Sequence, residues 1–264
     1  SYHLSKNNAA LQKSLTRLSS GSRITQPADD AGGLAVSMKL SGTINRLTGV
    51  EKNIDNSISF LQVQDGVLES AGKILDRMAE LKALSQDVLK NDSDIANYNS
   101  EFRNLQVQLY QMSETTFNGV SLFSSASHSE AVFGGTNSQD VTVSIFTSAT
   151  GESGSLVSIN KSMLLSALTI DTNDANLKSV SFATATGRHE GTGAIAATSS
   201  IFSFAASSSD KAINLDSMSV AVFTQALENI ASLRAENGGS VSRLQFAKES
   251  ASQQKTNLEA ANGR

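Results

Sequence analysis

The chain of 264 residues has no cysteine, no tryptophan, a single proline and three histidines. Without cysteine there is no disulfide scaffold, no thiolate metal site and no cysteine nucleophile. His3, His128 and His189 lie far apart in sequence, which argues against a histidine-rich metal centre. The lone proline, Pro27, excludes polyproline or collagen-like architecture and leaves helices free to run long. Charged residues make up only 17% and aromatics 5%. The net charge of -4 gives no strong electrostatic footprint for nucleic acid. No apolar run is long enough for a membrane-spanning helix, and no secretory leader pattern is visible. The chain starts at Ser1, without Met, inside a helical pattern, and so reads as a shortened one.

What is present falls into three grammars. Lysine and arginine number 12 in residues 1–119, 4 in residues 120–214 and 5 in residues 215–264. Aspartate and glutamate number 13, 7 and 5 over the same ranges. The outer regions are therefore charge-balanced. The middle is charge-poor and rich in Ser, Thr, Ala and Gly.

The first region repeats every seven residues at Leu47, Ile54, Leu61, Leu68 and Leu75. Three residues before these lie Ile44, Glu51, Ile58, Asp65 and Gly72, so this seam contains polar defects. Two readings of the defects stay open: the edge of the bundle, or a surface facing neighbouring subunits. The pattern predicts a helix from near Ala28-Asp29-Asp30, where acids suit the helix dipole, to about Lys90. At 1.5 Å per residue such a helix is roughly 90 Å long. A second helix is expected after Asn91-Asp92-Ser93, capped by Asp92 and Asp94 and ended by Phe117-Asn118-Gly119. Its apolar positions are Ile95, Tyr98, Phe102, Leu105, Leu109 and Met112. The last region repeats at Phe223, Ile230, Asn237, Leu244, Ala251 and Leu258. Asn237 sits in the seam, where a buried Asn sets register, and Gly238-Gly239 softens the helix.

These patterns predict a mainly α chain with an α+β insertion. A long-helix, coiled-coil-like bundle is built from both chain ends, 1–119 and 215–264. A small β-rich central domain, 120–214, is inserted at one end. Strands are expected at Asp140–Thr147, Ser179–Thr186 and Ala194–Ala205, with one short helix over Asn160–Leu168.

Chemistry is sparse. There is no nucleophile elbow, phosphate loop, dinucleotide fingerprint or zinc helix. The glycines from Gly187 to Gly193 read as turns. Asp171, Asn173, Asp174 and Asn176 resemble part of a calcium loop, but no bidentate Glu follows at the required offset, and an Asx-rich turn is the better reading. No catalytic residue, metal site or cofactor is expected.

Residues 17–40, RLSSGSRITQPADDAGGLAVSMKL, resemble the N-terminal signature of bacterial flagellin. The family form runs Arg-Leu-Ser-Ser-Gly-x-Arg-Ile-Asn and then Asp-Asp-Ala-Ala-Gly. Arg17, Leu18, Ser19, Ser20, Gly21, Arg23, Ile24, Asp29, Asp30, Ala31 and Gly33 match it, whereas Thr25, Pro27 and Gly32 depart. Ser59–Gln64, Leu75–Asp87, Thr116–Gly119, the degraded Phe133–Asn137 and Ala226–Leu244 are similar to later family segments, in order. The central region carries no specific match and is the variable part in this family.

The resemblance implies a structural, non-enzymatic subunit. Such a chain is exported by way of a chaperone, assembled under a filament cap, and stacked with other flagellin subunits into the extracellular filament that drives swimming. Family members carry further terminal helices that polymerise the filament, so this chain is expected to be monomeric. Arg17–Asp30 matches the joint between the family's inner tube and outer helical layer, which assigns those matching residues to subunit contact and switching. The family is also sensed by toll-like receptor 5. Its recognition Arg and Leu match Arg77 and Leu81, and its partner Glu falls at Ser100, next to Glu101. A second class is a surface adhesin that binds a polysaccharide, with Lys161, Lys178, Arg188 and Lys211 meeting an acidic polymer.

Overall fold

The structure is a computed structural model that describes residues 2–21, 30–124, 142–182 and 200–263. Five helices are described: α1 (Tyr2–Ser20), α2 (Ala31–Ser85), α3 (Asp92–Ser113), α4 (Leu164–Ala167) and α5 (Val220–Asn262). Six short strands join them: β1 (Thr116–Phe117), β2 (Val120–Ser121), β3 (Thr142–Phe146), β4 (Leu156–Asn160), β5 (Thr169–Asp171) and β6 (Ile201–Ser203). The strands pair two by two, β1 with β2, β3 with β4 and β5 with β6. The expected mainly α architecture with long helices at both ends of the chain is what is seen. The chain divides into two compact units, and the division cuts through α2 and α5. One unit holds Ser1–Ile54, Phe146–Leu156 and Gln245–Arg264; the other holds Asp55–Ile145 and Val157–Leu244.

The seam on α2 is regular, with its second position three residues after each leucine or isoleucine of the repeat. Leu47, Ile54, Leu61, Leu68 and Leu75 are all buried, as the sevenfold repeat predicts. Their buried companions lie three residues later, not earlier: Val50, Ser57, Gln64, Ala71 and Met78. Glu51, Asp65 and Gly72 are half-buried flank positions. They have intramolecular partners on α5. Arg234 Nε donates to Asp65 Oδ1 at 2.9 Å and Nη2 to Oδ2 at 3.1 Å, a bidentate pair. In the other unit, Lys255 Nζ lies 3.6 Å from Glu51 Oε2. A Cβ on Gly72 would meet Ile230 Cγ2 at 3.9 Å. The polar residues are therefore the edge of a seam within one chain. The sequence shows their period but not their side of the helix.

α5 supplies the matching seam of Phe223, Ala226, Ile230, Leu233, Asn237, Ser240 and Leu244, all buried. It runs antiparallel to α2, because Ile230, Arg234 and Asn237 meet Gly72, Asp65 and Leu61 in turn. Asn237 is the register residue the sequence proposes. Its Nδ2 donates to the Leu61 carbonyl at 2.7 Å, while its Oδ1 is buried with no partner. Gln64, one turn further along the α2 seam, donates to Ser162 Oγ and likewise buries an unpartnered Oε1. An orphaned buried acceptor costs on the order of 1–3 kcal/mol. Asn237→Leu, larger but of the same branching and without the orphaned acceptor, is therefore expected to raise stability by about 1–2 kcal/mol. A shift of the urea midpoint to higher concentration at constant slope would show it, and a lower midpoint would refute it.

Several element boundaries differ from the sequence reading. α2 begins at Ala31 because Asp30 caps it, and ends at Ser85 because residues 86–90 form turns. Asn91, not Asp92 or Asp94, caps α3 by accepting from the Asp94 amide at 2.9 Å. α3 stops at Ser113 because residues 116–121 form a hairpin. The hairpin turn is Asn118-Gly119 with φ of 50° and 79°, a pair of positive values that Asn-Gly tolerates. Asn160 ends strand β4, so the short helix narrows to α4. Of the expected strands, β3, an isolated bridge from Ser179 to Ile170, and β6 are described. Residues 140–141, 183–186 and 194–199 lie outside the described residues.

The irregular segments are tied to the helices by side-chain carboxamides. Gln106 on α3 accepts from the Ile213 amide at 3.0 Å and donates to the Ile213 carbonyl at 2.9 Å. Asn99 accepts from the Leu215 amide at 2.8 Å. Asn229 on α5 donates to the Ala167 carbonyl at 2.9 Å and to Ser179 Oγ at 2.7 Å. Irregular backbone is thus satisfied by side chains from the regular helices.

Candidate functional site

The helix α1 has no buried residue. Its leucines nevertheless share one face, since Leu4, Leu11 and Leu18 step by seven and Leu15 lies four beyond Leu11. They are 72%, 58%, 80% and 55% exposed in that order. Together they form an exposed apolar stripe along one face of α1. Leu18 belongs to the flagellin-like signature, whereas Leu4, Leu11 and Leu15 lie outside it, although their step of seven is legible in the sequence. Val36 and Met38, near the start of α2, are also exposed.

The first of the residues matched to the flagellin joint lie at the end of this stripe. Arg17, Leu18, Ser19 and Ser20 form the last turn of α1, and Ser20 Oγ donates to the Arg17 carbonyl at 3.3 Å. Gly21 follows at φ 64°, the left-handed conformation that ends a helix and favours glycine. On the far side, Asp30 caps α2: its Oδ1 accepts from the Gly33 amide at 2.9 Å and its carbonyl from the Leu34 amide at 2.9 Å. Ala31 and Gly33 form the first turn of that helix. Arg23, Ile24 and Asp29 lie outside the described residues. Asp30→Ala is expected to weaken the start of α2 by about 1 kcal/mol. Hydrogen exchange should then quicken at the amides of Gly33 and Leu34, while the amides around Leu68 keep their protection.

A second cluster joins α2 to α3. Arg77 donates to both carboxylate oxygens of Glu101, at 2.7 and 3.1 Å, and lies 3.0 Å from Glu80. Hydrogen bonding to Glu101 and then Glu80 raises the Arg77 pKa. The hydrogen bond from Arg77 lowers that of Glu101. The Glu101 contribution is therefore present above the range of an unfolded glutamate and fades as pH falls through its lowered folded value. Both side chains are about 40% exposed, so the contribution is small. Leu81, grouped with them by the resemblance, has 0% exposure and belongs to the core. It sits one turn from Arg77 but faces inward.

The basic residues of the central region do not converge into a described groove. Lys161 follows β4 and donates to Ser121 Oγ at 3.2 Å. Lys178 follows the turn after β5, and Lys211 ends a short 3-10 helix at Ser209–Lys211. Arg188 lies outside the described residues. The oxygen-rich cluster forms Asx turns, with Asp171 Oδ1 accepting from the Asn173 amide at 3.0 Å and Asp174 Oδ1 from the Asn176 amide at 2.8 Å. No group of three or more potential metal ligands occurs among the described residues. No described helix is long and apolar enough to cross a membrane.

Comparison with known proteins agrees with the helical geometry. Residues 1–128 match the family profile described as the bacterial flagellin N-terminal helical region. The chain is 32% identical over 139 residues to flagellin 1 of Proteus mirabilis, covering 52% of this chain and 38% of that protein. It is 36% identical over 129 residues to the flagellar filament 30.7 kDa core protein of Treponema maltophilum, covering 48% and 45%. It is 37% identical over 105 residues to a flagellin of Halalkalibacterium halodurans, covering 40% and 39%. The matched stretch is thus less than half the length of each of these relatives. On a chain of long antiparallel seam helices with a capped joint, residues 1–128 are thus similar to the bacterial flagellin N-terminal helical region.

Proposed function

We propose that this chain is a structural, non-enzymatic subunit of a bacterial flagellar filament, exported and assembled outside the cell for swimming. The observation that carries this is the uncovered leucine face of α1, on a chain whose other seams are internally paired. Four half- to four-fifths-exposed leucines on one helix face find their apolar cover in other flagellin subunits. The matched joint, Arg17 to Gly33, links this adhesive helix to the paired seam of α2. Within this reading, Arg23, Ile24 and Asp29 belong to the same joint, and the export chaperone and the filament cap are assembly partners. Toll-like receptor 5, reading the α2–α3 face, would meet Arg77, Glu80 and Glu101 but not Leu81.

The test uses the complete gene that encodes this chain, in its own cells. Electron microscopy is expected to find the gene product in the filaments. Leu11→Glu with Leu15→Glu is expected to abolish filaments while the protein is still found in the medium. Filaments of normal abundance carrying both substitutions, or filaments lacking the unaltered protein, would overturn the proposal.

A further inference from the structure

The charges of α1 are placed as regularly as its leucines. Lys6, Lys13 and Arg17 step by seven and then four, as Leu4, Leu11 and Leu15 do. Each cation follows its leucine by two residues, which at 3.6 residues per turn is roughly 200° around the helix. The cations therefore form a second stripe, on the face opposite the leucines. No Asp or Glu lies in α1, and the first acid of the chain is Asp29. The whole chain carries -4, so this helix is opposite in sign to the rest.

The α2 helix balances its charges locally: Lys73 lies 3.6 Å from Glu69 and Arg77 lies 3.0 Å from Glu80. In α1 no such acid stands one turn away from any cation. Lys6 and Lys13 are exposed. Arg17 Nε is shielded from water and has no hydrogen-bond partner among the described residues. A shielded guanidinium N–H of this kind is satisfied by an anionic oxygen brought from outside.

A helix with leucines on one face, lysine and arginine on the other and low net hydrophobicity suits the plane of a bilayer surface. The leucines enter the boundary between headgroups and acyl chains, and the cations meet anionic headgroups. At 1.5 Å per residue α1 is roughly 28 Å long, and none of its residues is buried. A partner helix would use the leucines alone, and a soluble polyanion the cations alone. An anionic lipid surface uses both stripes at once.

We propose that α1 binds the surface of an anionic lipid bilayer, leucine face inward, before neighbouring subunits cover that face. This goes beyond the filament reading, which uses the leucines and gives the cations no task. Tryptophan is absent from the chain, so one introduced indole reports on one position. Leu11→Trp and Thr16→Trp stand roughly 140° apart around the helix, on the apolar and the polar face. The vesicles are phosphatidylcholine with about 30% phosphatidylglycerol, which supplies the anionic surface. On them the Leu11→Trp chain should shift its emission to the blue and be quenched by brominated acyl chains, whereas Thr16→Trp should show neither. Lys6→Gln with Lys13→Gln should weaken vesicle sedimentation about tenfold and flatten its salt dependence. Leu4→Ser with Leu15→Ser should weaken it about tenfold as well. Neither pair touches a buried residue, so the urea midpoint should stay unchanged.

Equal binding to vesicles of phosphatidylcholine alone, or equal quenching at both tryptophan positions, would overturn the proposal. So would binding that survives the loss of the leucines, since charge attraction to any polyanion then accounts for it. A blue shift of Leu11→Trp without vesicles would show the face already covered by other copies and overturn it too. Filaments that contain the protein, with no vesicle binding, would overturn the lipid contact and leave the subunit reading standing. Vesicle binding by a protein absent from filaments would do the reverse.

Discussion

Phe223→Ala is expected to destabilise the second unit by about 3–5 kcal/mol, the range for emptying a fully buried aromatic site. Phe223 opens the seam of α5 and is 1% exposed. Its ring lies 4.9 Å from that of Phe204 and 6.0 Å from that of Phe102, centroid to centroid. One side chain thus joins α5, α3 and the segment after β6. The alanine variant loses the transferred apolar area and the two ring contacts together, and leaves a cavity that long helices cannot collapse around. Urea unfolding followed by circular dichroism should show the loss as a lower midpoint. Phe223→Leu, which refills part of the space, should cost less than half as much. A loss below about 1 kcal/mol for the alanine variant would show that the site closes up and that the ring cluster is not central.

Gln106→Leu is the second large effect, about 2–4 kcal/mol, and its origin is polar. The change keeps the volume but strips the Ile213 amide and carbonyl of their partners inside a region where Gln106 and Ala212 are 0% exposed. Each stranded group costs on the order of 1–3 kcal/mol. Hydrogen exchange at Ile213 and at Ala206, whose amide donates to the Gln106 carbonyl at 3.1 Å, separates the effects. Ile213 should lose protection, while Ala206, bonded to backbone, should lose less. Gln106→Glu keeps an acceptor for the Ile213 amide, and only its protonated form can donate to the carbonyl. Burial raises the folded pKa of such a carboxyl, so the variant's deficit should shrink as pH falls toward about 4. A deficit that does not change with pH would contradict the clamp.

The helical part was legible because its signal is periodic and repeated. Five positions at a step of seven outweigh any one defect, so α2 and α5 were found to within a few residues. The choice of seam companion failed for a physical reason. Ile44 and Ile58 precede the leucines by three and look like core, whereas the true companions include Ser57 and Gln64. Composition alone ranks isoleucine above glutamine. Only the partner helix, with Asn237 at the same level, makes the polar residues the inner ones. The joint residues were legible as a motif, and the Asx turns as turn chemistry. The short strands were poorly resolved in sequence, because segments of two to five small residues carry almost no periodicity.

By itself, the sequence determined the helical class, the long uninterrupted helices that a near absence of proline allows, the sevenfold seams and the flagellin signature. These are local or strictly repeating properties, fixed by spacing along one chain. The tertiary structure decided which neighbours the seam residues meet. It turned Glu51 and Asp65 from defects into paired edges, placed Leu81 in the core behind an exposed Arg77, and left the leucines of α1 uncovered. Burial and pairing depend on what the rest of the chain brings to each face, and a helical repeat specifies a face without naming what covers it.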